Sequence, residues 1–295
     1  MKRANVLRAV LVLGGIFASA APAAAQTTVG ADASLFSSYV WRGLSLTNKP
    51  VLQPDLYVTI PTGKASVTLG GWANIDLGKY DDPEDDISES GGLSSFNFAE
   101  FDPWAEVAFP VGEKTTLTGG ITAYIYPNDL TATSNGGFDS DANTVELYAK
   151  AAFDVLLSPK LSMWYDVDKI NGAYFEASVS HTIPASEKVG IALGALAGFS
   201  AGQDADLDQN GEPQADFFNF QDNGLTHVDL SAGVPLSAGV FSITPVIHFV
   251  ITSDEATKVT SPTDVSDTKV WGGVTVSWSH GYGEAPAEEG ATEAE

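Results

Sequence analysis

About twelve segments of the chain alternate apolar and polar residues, and two kinds of connection alternate between them. One kind is short and mostly marked by proline: IPTGK at 60–64, FPVGEK at 109–114, LLSPK at 156–160, IPASEK at 183–188 and VPLSAG at 234–239. The other is mostly long, acidic and rich in Gly and Asn. An alternating strand offers one face to an apolar medium and the other to water. Tight turns at one end of a sheet and long loops at the other are what an up-and-down membrane barrel requires. A β-sandwich also alternates, but its loops keep no such sidedness. The expected fold is all-β, an antiparallel up-and-down transmembrane barrel of about 12 strands.

The strands are expected at 29–42, 51–60, 65–77, 97–109, 114–126, 144–156, 160–169, 172–183, 187–200, 225–235, 240–252 and 269–279. Both termini then fall at the tight-turn end, the periplasmic side of a bacterial barrel. Loops at 78–96, 127–143, 201–224 and 253–268 fall at the other end, with short links near 43–50 and 170–171.

Residues 1–25 have the form of a signal peptide. Lys2, Arg3 and Arg8 precede the apolar core VLVLGGIF, and Ala23-Ala24-Ala25 makes a small-residue cleavage site. That core is too short to be a membrane helix, and no later segment approaches the ~18 continuous apolar residues one needs. A chain that spans a membrane after export then does so as a closed barrel, which satisfies its backbone in lipid. The expected division is a signal peptide at 1–25, a barrel at 26–280 and a disordered, acidic periplasmic tail at 281–295. The expected location is the bacterial outer membrane. The partners to match are outer-membrane lipid, lipopolysaccharide, the barrel assembly machinery and periplasmic chaperones. The oligomeric state stays open.

Composition excludes several classes. There is no cysteine, hence no disulfide framework, thiolate nucleophile or Cys-based metal site. The 14 Lys and Arg fall to 11 once Lys2, Arg3 and Arg8 leave with the signal, against 38 acids. Such a charge excludes nucleic acid as a partner. A mean hydropathy of +0.03 looks soluble, but alternation averages the two faces, so it does not exclude a barrel.

Parity assigns the water-facing side of each strand. Its acids are Asp32, Asp55, Asp76, Glu100, Asp102, Glu106, Glu146, Asp154, Asp166, Asp168, Glu176 and Asp229; its bases are Arg42, Lys150 and Lys269, with His227 and His248 as partial charges. In a water-filled pore this lining concentrates cations and repels anions. Asp→Asn changes at Asp166 and Asp168 are then expected to weaken cation preference. The alternative is a filled lumen, in which Trp72, Trp104, Tyr124, Tyr148, Trp164 and Tyr174 occupy the space and the acids form structural networks. Gly190, Ala192, Gly194 and Gly198 share the lumen face of one strand, where small residues leave room for a close approach. Tyr39, Trp41, Phe101, Phe109, Tyr165, Phe199 and Trp278 fit an interfacial aromatic girdle.

Two expectations for function follow. One is a diffusion channel for small, preferentially cationic or neutral solutes. The other is a non-conducting barrel whose acidic extracellular loops bind a partner or divalent cations. Neither is enzymatic. No phosphate loop or dinucleotide fingerprint is present, and His181, between Ser180 and Thr182, lacks the spacing of a hydrolase site. No cofactor is implied beyond calcium at DADLDQNGE, 204–212. Asp204, Asp206, Asp208 and Asn210, followed by Gly211, match the opening of a calcium loop, but Phe217 stands where its closing acid belongs. A solvated acidic loop is the competing assignment.

The stretch SLFSSYVWRGLSLTNKPVLQPDLYV at 34–58 resembles the start of proteobacterial outer-membrane proteins of the TorF porin family. The matching positions are Ser38, Tyr39, Arg42, Gly43 and Ser45, then Pro50, Leu52 and Gln53. The resemblance implies an outer-membrane barrel with a transport role and no fixed substrate. The tail departs from barrels that end on an aromatic strand, which leaves Trp278 as an internal assembly signal. Gly43 is free to take positive φ at a turn. Arg42 is expected to pair with Asp55 or another wall acid near the mouth, either as a gating or selectivity element or as a structural ion pair.

Overall fold

The structure is a computed structural model, and it describes residues 26–78, 96–127, 131–132, 138–139, 143–203, 220, 223–253 and 268–282. The segment 1–25 expected as a signal peptide, the acidic loop at 204–212 and the stretch from 283 onward lie outside the described residues. Strands follow in chain order as β1 (Thr27–Phe36), β2 (Tyr39–Trp41), β3 (Leu44–Thr47), β4 (Val51–Thr62), β5 (Ala65–Asp76), β6 (Asn97–Val111), β7 (Thr115–Tyr124), β8 (Thr131–Ala132), β9 (Phe138–Asp139), β10 (Thr144–Phe153), β11 (Lys160–Asp166), β12 (Ala173–Pro184), β13 (Gly190–Ala201), β14 (Gly224–Gly233), β15 (Leu236–Ala238), β16 (Phe241–Thr252) and β17 (Thr268–Tyr282).

Twelve of them make the wall. In the order β1, β4, β5, β6, β7, β10, β11, β12, β13, β14, β16, β17, each pairs with the next, all antiparallel. The last returns to the first, with Thr27 opposite Tyr282 and Phe36 opposite Gly273. Closure removes the unpaired edges that an open sheet would expose. The short connections are tight turns, and Gly63 (φ 67) and Gly239 (φ 67) supply the left-handed backbone they need.

Burial is inverted relative to a water-soluble domain. Leu56, Leu69, Leu147, Leu161, Ile191, Ile247 and Val270 stand exposed on the outer face, while Asn74, Asp76, Glu100, Glu146, Asp166 and Thr226 are buried inside. On β10, Leu147 and Ala149 point out while Glu146 and Tyr148 point in. On β16, Ile247, Phe249 and Ile251 point out against His248 and Thr252. A belt of this kind meets a membrane rather than water.

Most strand ends fall within three residues of those expected, and four of the differences reassign residues. The first strand stops at Phe36 instead of running to 42, because the chain turns inward at Ser37-Ser38 and forms a separate hairpin, β2–β3. Tyr39 and Trp41 therefore lie in that hairpin and not in an outer girdle, whereas Phe101, Phe109, Tyr165 and Phe199 are exposed outward. β10 stops at Phe153 and β11 at Asp166, so Asp154 and Asp168 sit in exposed turns beyond the wall. β17 continues through Tyr282, two residues into the stretch expected as tail.

Candidate functional site

The hairpin β2–β3 folds into the long-loop half of the lumen. Its tip is the two-residue turn Arg42-Gly43 (φ 50 and 86), with Trp41 opposite Leu44. Positive φ at both central residues is the type I′ geometry, whose twist matches the flanking strands. Arginine is strained in that region, and such residues persist where their surroundings over-determine them. Here the surroundings do so. Arg42 Nη1 and Nη2 donate to Glu146 Oε1 (2.8 Å) and Oε2 (2.6 Å) on β10. The guanidinium carbon lies 4.2 Å from the ring centre of Trp41, 4.3 Å from that of Tyr174 on β12 and 5.5 Å from that of Trp164 on β11. Tyr124 Oη on β7 donates to Glu146 Oε2 (2.7 Å).

The rest of the hairpin sweeps around the wall. Tyr39 packs on Trp72 of β5 and Trp41 on Tyr124. A Cβ on Gly43 would lie 2.7 Å from His227 Cβ on β14, so only glycine lets the tip reach that strand. Leu44 joins Tyr174 and Phe220 in a small apolar cluster, with Phe220 stacked on Tyr174 at 6.1 Å. The upper lumen is thus filled, by residues drawn from loops as well as wall.

The predicted lining residues separate into groups. Asp32 and Asp55 are directly opposite each other on β1 and β4, half-buried, with Trp104 Nε1 donating to Asp55 (3.3 Å). Glu100 accepts from Tyr126 (3.0 Å), and Asp102 is buried beside it with Oδ1 unpartnered among the described residues. Glu106 holds Lys150 (3.3 Å) and Tyr148 (3.0 Å). Asp76 accepts from Asn74 (2.8 Å), Glu176 from Tyr174 (3.2 Å), and Asp229 sits 2.8 Å from His248, whose ring stacks on Trp271 at 4.0 Å. Asp166 is wholly buried, but its Oδ1 accepts backbone N–H groups of Asp168 (3.0 Å) and Ile170 (2.8 Å), and its Oδ2 accepts from Thr144. It organises a turn, and its lone pairs are spent there. Arg42 pairs with a wall acid as expected, but the acid is Glu146 of β10 rather than Asp55. Lys160, the first residue of β11, faces inward beside Ser178 and was not foreseen as a lining base. Among the described residues no group of His, Cys, Asp and Glu is arranged to hold a metal ion.

Bulky rings do not simply cross the lumen. A Cβ on Gly30 would lie 2.2 Å from the Tyr57 ring, one on Gly70 2.3 Å from Trp104, one on Gly120 2.3 Å from Tyr148 and one on Gly198 2.3 Å from Tyr174. Each ring lies flat over a glycine of a neighbouring strand. The glycine provides the recess, and the ring stays against the wall. The sequence signals were there as separate facts: lumen-parity aromatics and lumen-parity glycines. Which ring meets which glycine depends on register.

The crystal structure of the COG4313 outer membrane channel from Pseudomonas putida F1 shares this fold, with a TM-score of 0.51 at 10% identity over 88% of this chain and 97% of that one. LpxR from Salmonella typhimurium matches at a TM-score of 0.44 and 8% identity, over 85% of this chain and 99% of that one. The CymD monoaromatic hydrocarbon channel matches at 0.42 and 10%, over 88% and 89%. No curated protein matches the sequence. Residues 20–209 match the family described as "Bacterial protein of unknown function (Gcw_chp)". That match takes in the inward hairpin and the wall from β1 to β13, and the chain belongs to the Gcw_chp family of bacterial proteins.

Proposed function

We propose that this protein is an outer-membrane channel for the passive diffusion of small cationic or neutral solutes, with the hairpin β2–β3 occluding the long-loop half of its lumen. The observation that carries it is the charge of the interior. Ten acids of the wall, Asp32, Asp55, Asp76, Glu100, Asp102, Glu106, Glu146, Asp166, Glu176 and Asp229, face inward against Arg42, Lys150, Lys160 and Lys269. An interior of that sign concentrates cations wherever water enters. The apolar outer belt, the fold shared with an outer membrane channel and the resemblance of 34–58 to TorF-family porins support the location and the transport role. A second reading has its own support: the filled upper lumen favours a non-conducting barrel that works through its acidic loops. Reconstitution of the mature chain in a planar bilayer under a KCl gradient separates them. Conductance with a cation-favouring reversal potential supports the channel. A detergent-stable, heat-modifiable barrel that stays silent, even after deletion of residues 38–48, overturns it.

A further inference from the structure

We infer that the wall of this barrel carries a recognition site for a guanidinium group, and that in this structure the chain's own Arg42 occupies it as a built-in ligand. The inference rests on the channel reading for its consequence but not for the site itself.

The wall residues of the site come from five neighbouring strands. Glu146 of β10 offers both carboxylate oxygens in one plane, Tyr124 of β7 fixes that carboxylate through Oε2, and Trp164 of β11 and Tyr174 of β12 offer ring faces. Gly198 of β13 recesses the wall so that Tyr174 lies back and leaves space in front of it. A carboxylate fork with ring faces around it fits a planar guanidinium, which pairs bidentately and stacks; an ammonium does neither as well. All of these groups belong to the wall and stay in place if the hairpin leaves. The occupant arrives on a hairpin whose turn is strained at Arg42 and which joins the wall through loop-type segments at 37–38 and 48–50. A solute bearing a guanidinium group presents the same chemistry without that strain. It therefore competes with Arg42, and its binding releases the hairpin from the upper lumen. The solute class selected by the closed state is then the class that opens it.

The test uses the mature chain in detergent and in bilayers, with methylguanidinium as probe and methylammonium as the control of equal charge. In calorimetry, Arg42→Ala binds methylguanidinium saturably in the millimolar range and methylammonium at least tenfold more weakly; adding Glu146→Gln abolishes the binding. The native chain binds more weakly than Arg42→Ala, because its own arginine competes. In bilayers, methylguanidinium raises the open fraction of the native chain, and Arg42→Ala is open without it. Arg42→Lys keeps the charge but not the fork, and needs less methylguanidinium to open than the native chain does. Circular dichroism and heat-modifiable migration establish that each variant is folded. Equal binding of the two cations to folded Arg42→Ala, or none of either, overturns the site. Saturable, Glu146-dependent binding in a barrel that never conducts retains the site and overturns the channel reading alone.

Discussion

Gly119 and Gly120 are neighbours on β7 and face opposite ways, so an alanine at each asks what the wall's inner recesses are worth. A Cβ on Gly119 points outward and meets nothing closer than 4.0 Å. A Cβ on Gly120 would lie 2.3 Å from Tyr148 Cζ and 2.6 Å from the carbonyl oxygen of Ala105. Ordinary contact begins near 3.4 Å, so the Tyr148 ring must lift off the wall by about 1 Å or more and the β6 backbone must give as well. Overpacking of this kind costs about 1–3 kcal/mol. The lifted ring also loses its bond to Glu106 (3.0 Å), the carboxylate that holds Lys150. A hydrogen bond to a charged group contributes about 1.5–3 kcal/mol. Replacing a strand glycine returns roughly 0.5–1 kcal/mol of chain entropy. Gly120→Ala is therefore expected to destabilise by about 1.5–5.5 kcal/mol, and Gly119→Ala to be neutral or stabilising by up to about 1 kcal/mol. The measurement is reversible urea unfolding from lipid vesicles, followed by tryptophan fluorescence, with native barrel scored by heat-modifiable migration. Values within 0.5 kcal/mol of each other would refute the ring-over-glycine packing (about one standard error of such extrapolations).

Glu146→Gln leaves Arg42 buried with one acceptor in place of two; its cost is expected at the low end of the ~3–5 kcal/mol for breaking a buried pair. The Arg42→Ala, Glu146→Gln double variant should lose no more than the worse single change in the same urea assay; additive losses would mean the two groups are uncoupled. Leu56 stands at the middle of β4 with 64% of its surface exposed, and Leu56→Arg is expected to cost about 2–4 kcal/mol in vesicles, as a charge does on a lipid-facing midplane. A change under 0.5 kcal/mol would place that face in water. Asp55→Asn should reduce the cation-favouring reversal potential, while Asp168→Asn, in an exposed turn outside the wall, should leave it unchanged. The reverse pattern would place the selective lining in the loops.

Much of this architecture was legible without coordinates. Side-chain direction in a strand is a local property with a period of two, so the outward Leu147 and the inward Glu146 follow from adjacent positions on one segment. Proline and glycine in IPTGK and VPLSAG mark turns for local steric reasons. Twelve strands, their faces and the end on which each connection lies thus came from short-range rules. Strand ends did not, and this moved Asp154 and Asp168 off the wall. Asp166 kept the predicted face, and its Oδ1 also accepts the backbone N–H groups of a turn that closes after it, a contact no strand pattern foretells.

What only the tertiary structure decided is how the inside is filled. Whether Arg42 met Asp55, on the strand that follows its own hairpin, or Glu146, 104 residues away, depended on how far the hairpin reaches across the lumen. The recess of Gly198 serves Tyr174 because β12 and β13 pair in one register; a slip of β13 by one residue would turn Gly198 to the lipid face and put a side-chain-bearing neighbour under the ring. Alternation is written along the chain and can be read there. Partnership across a barrel is set by the closure and stagger of the whole sheet, which no single strand encodes.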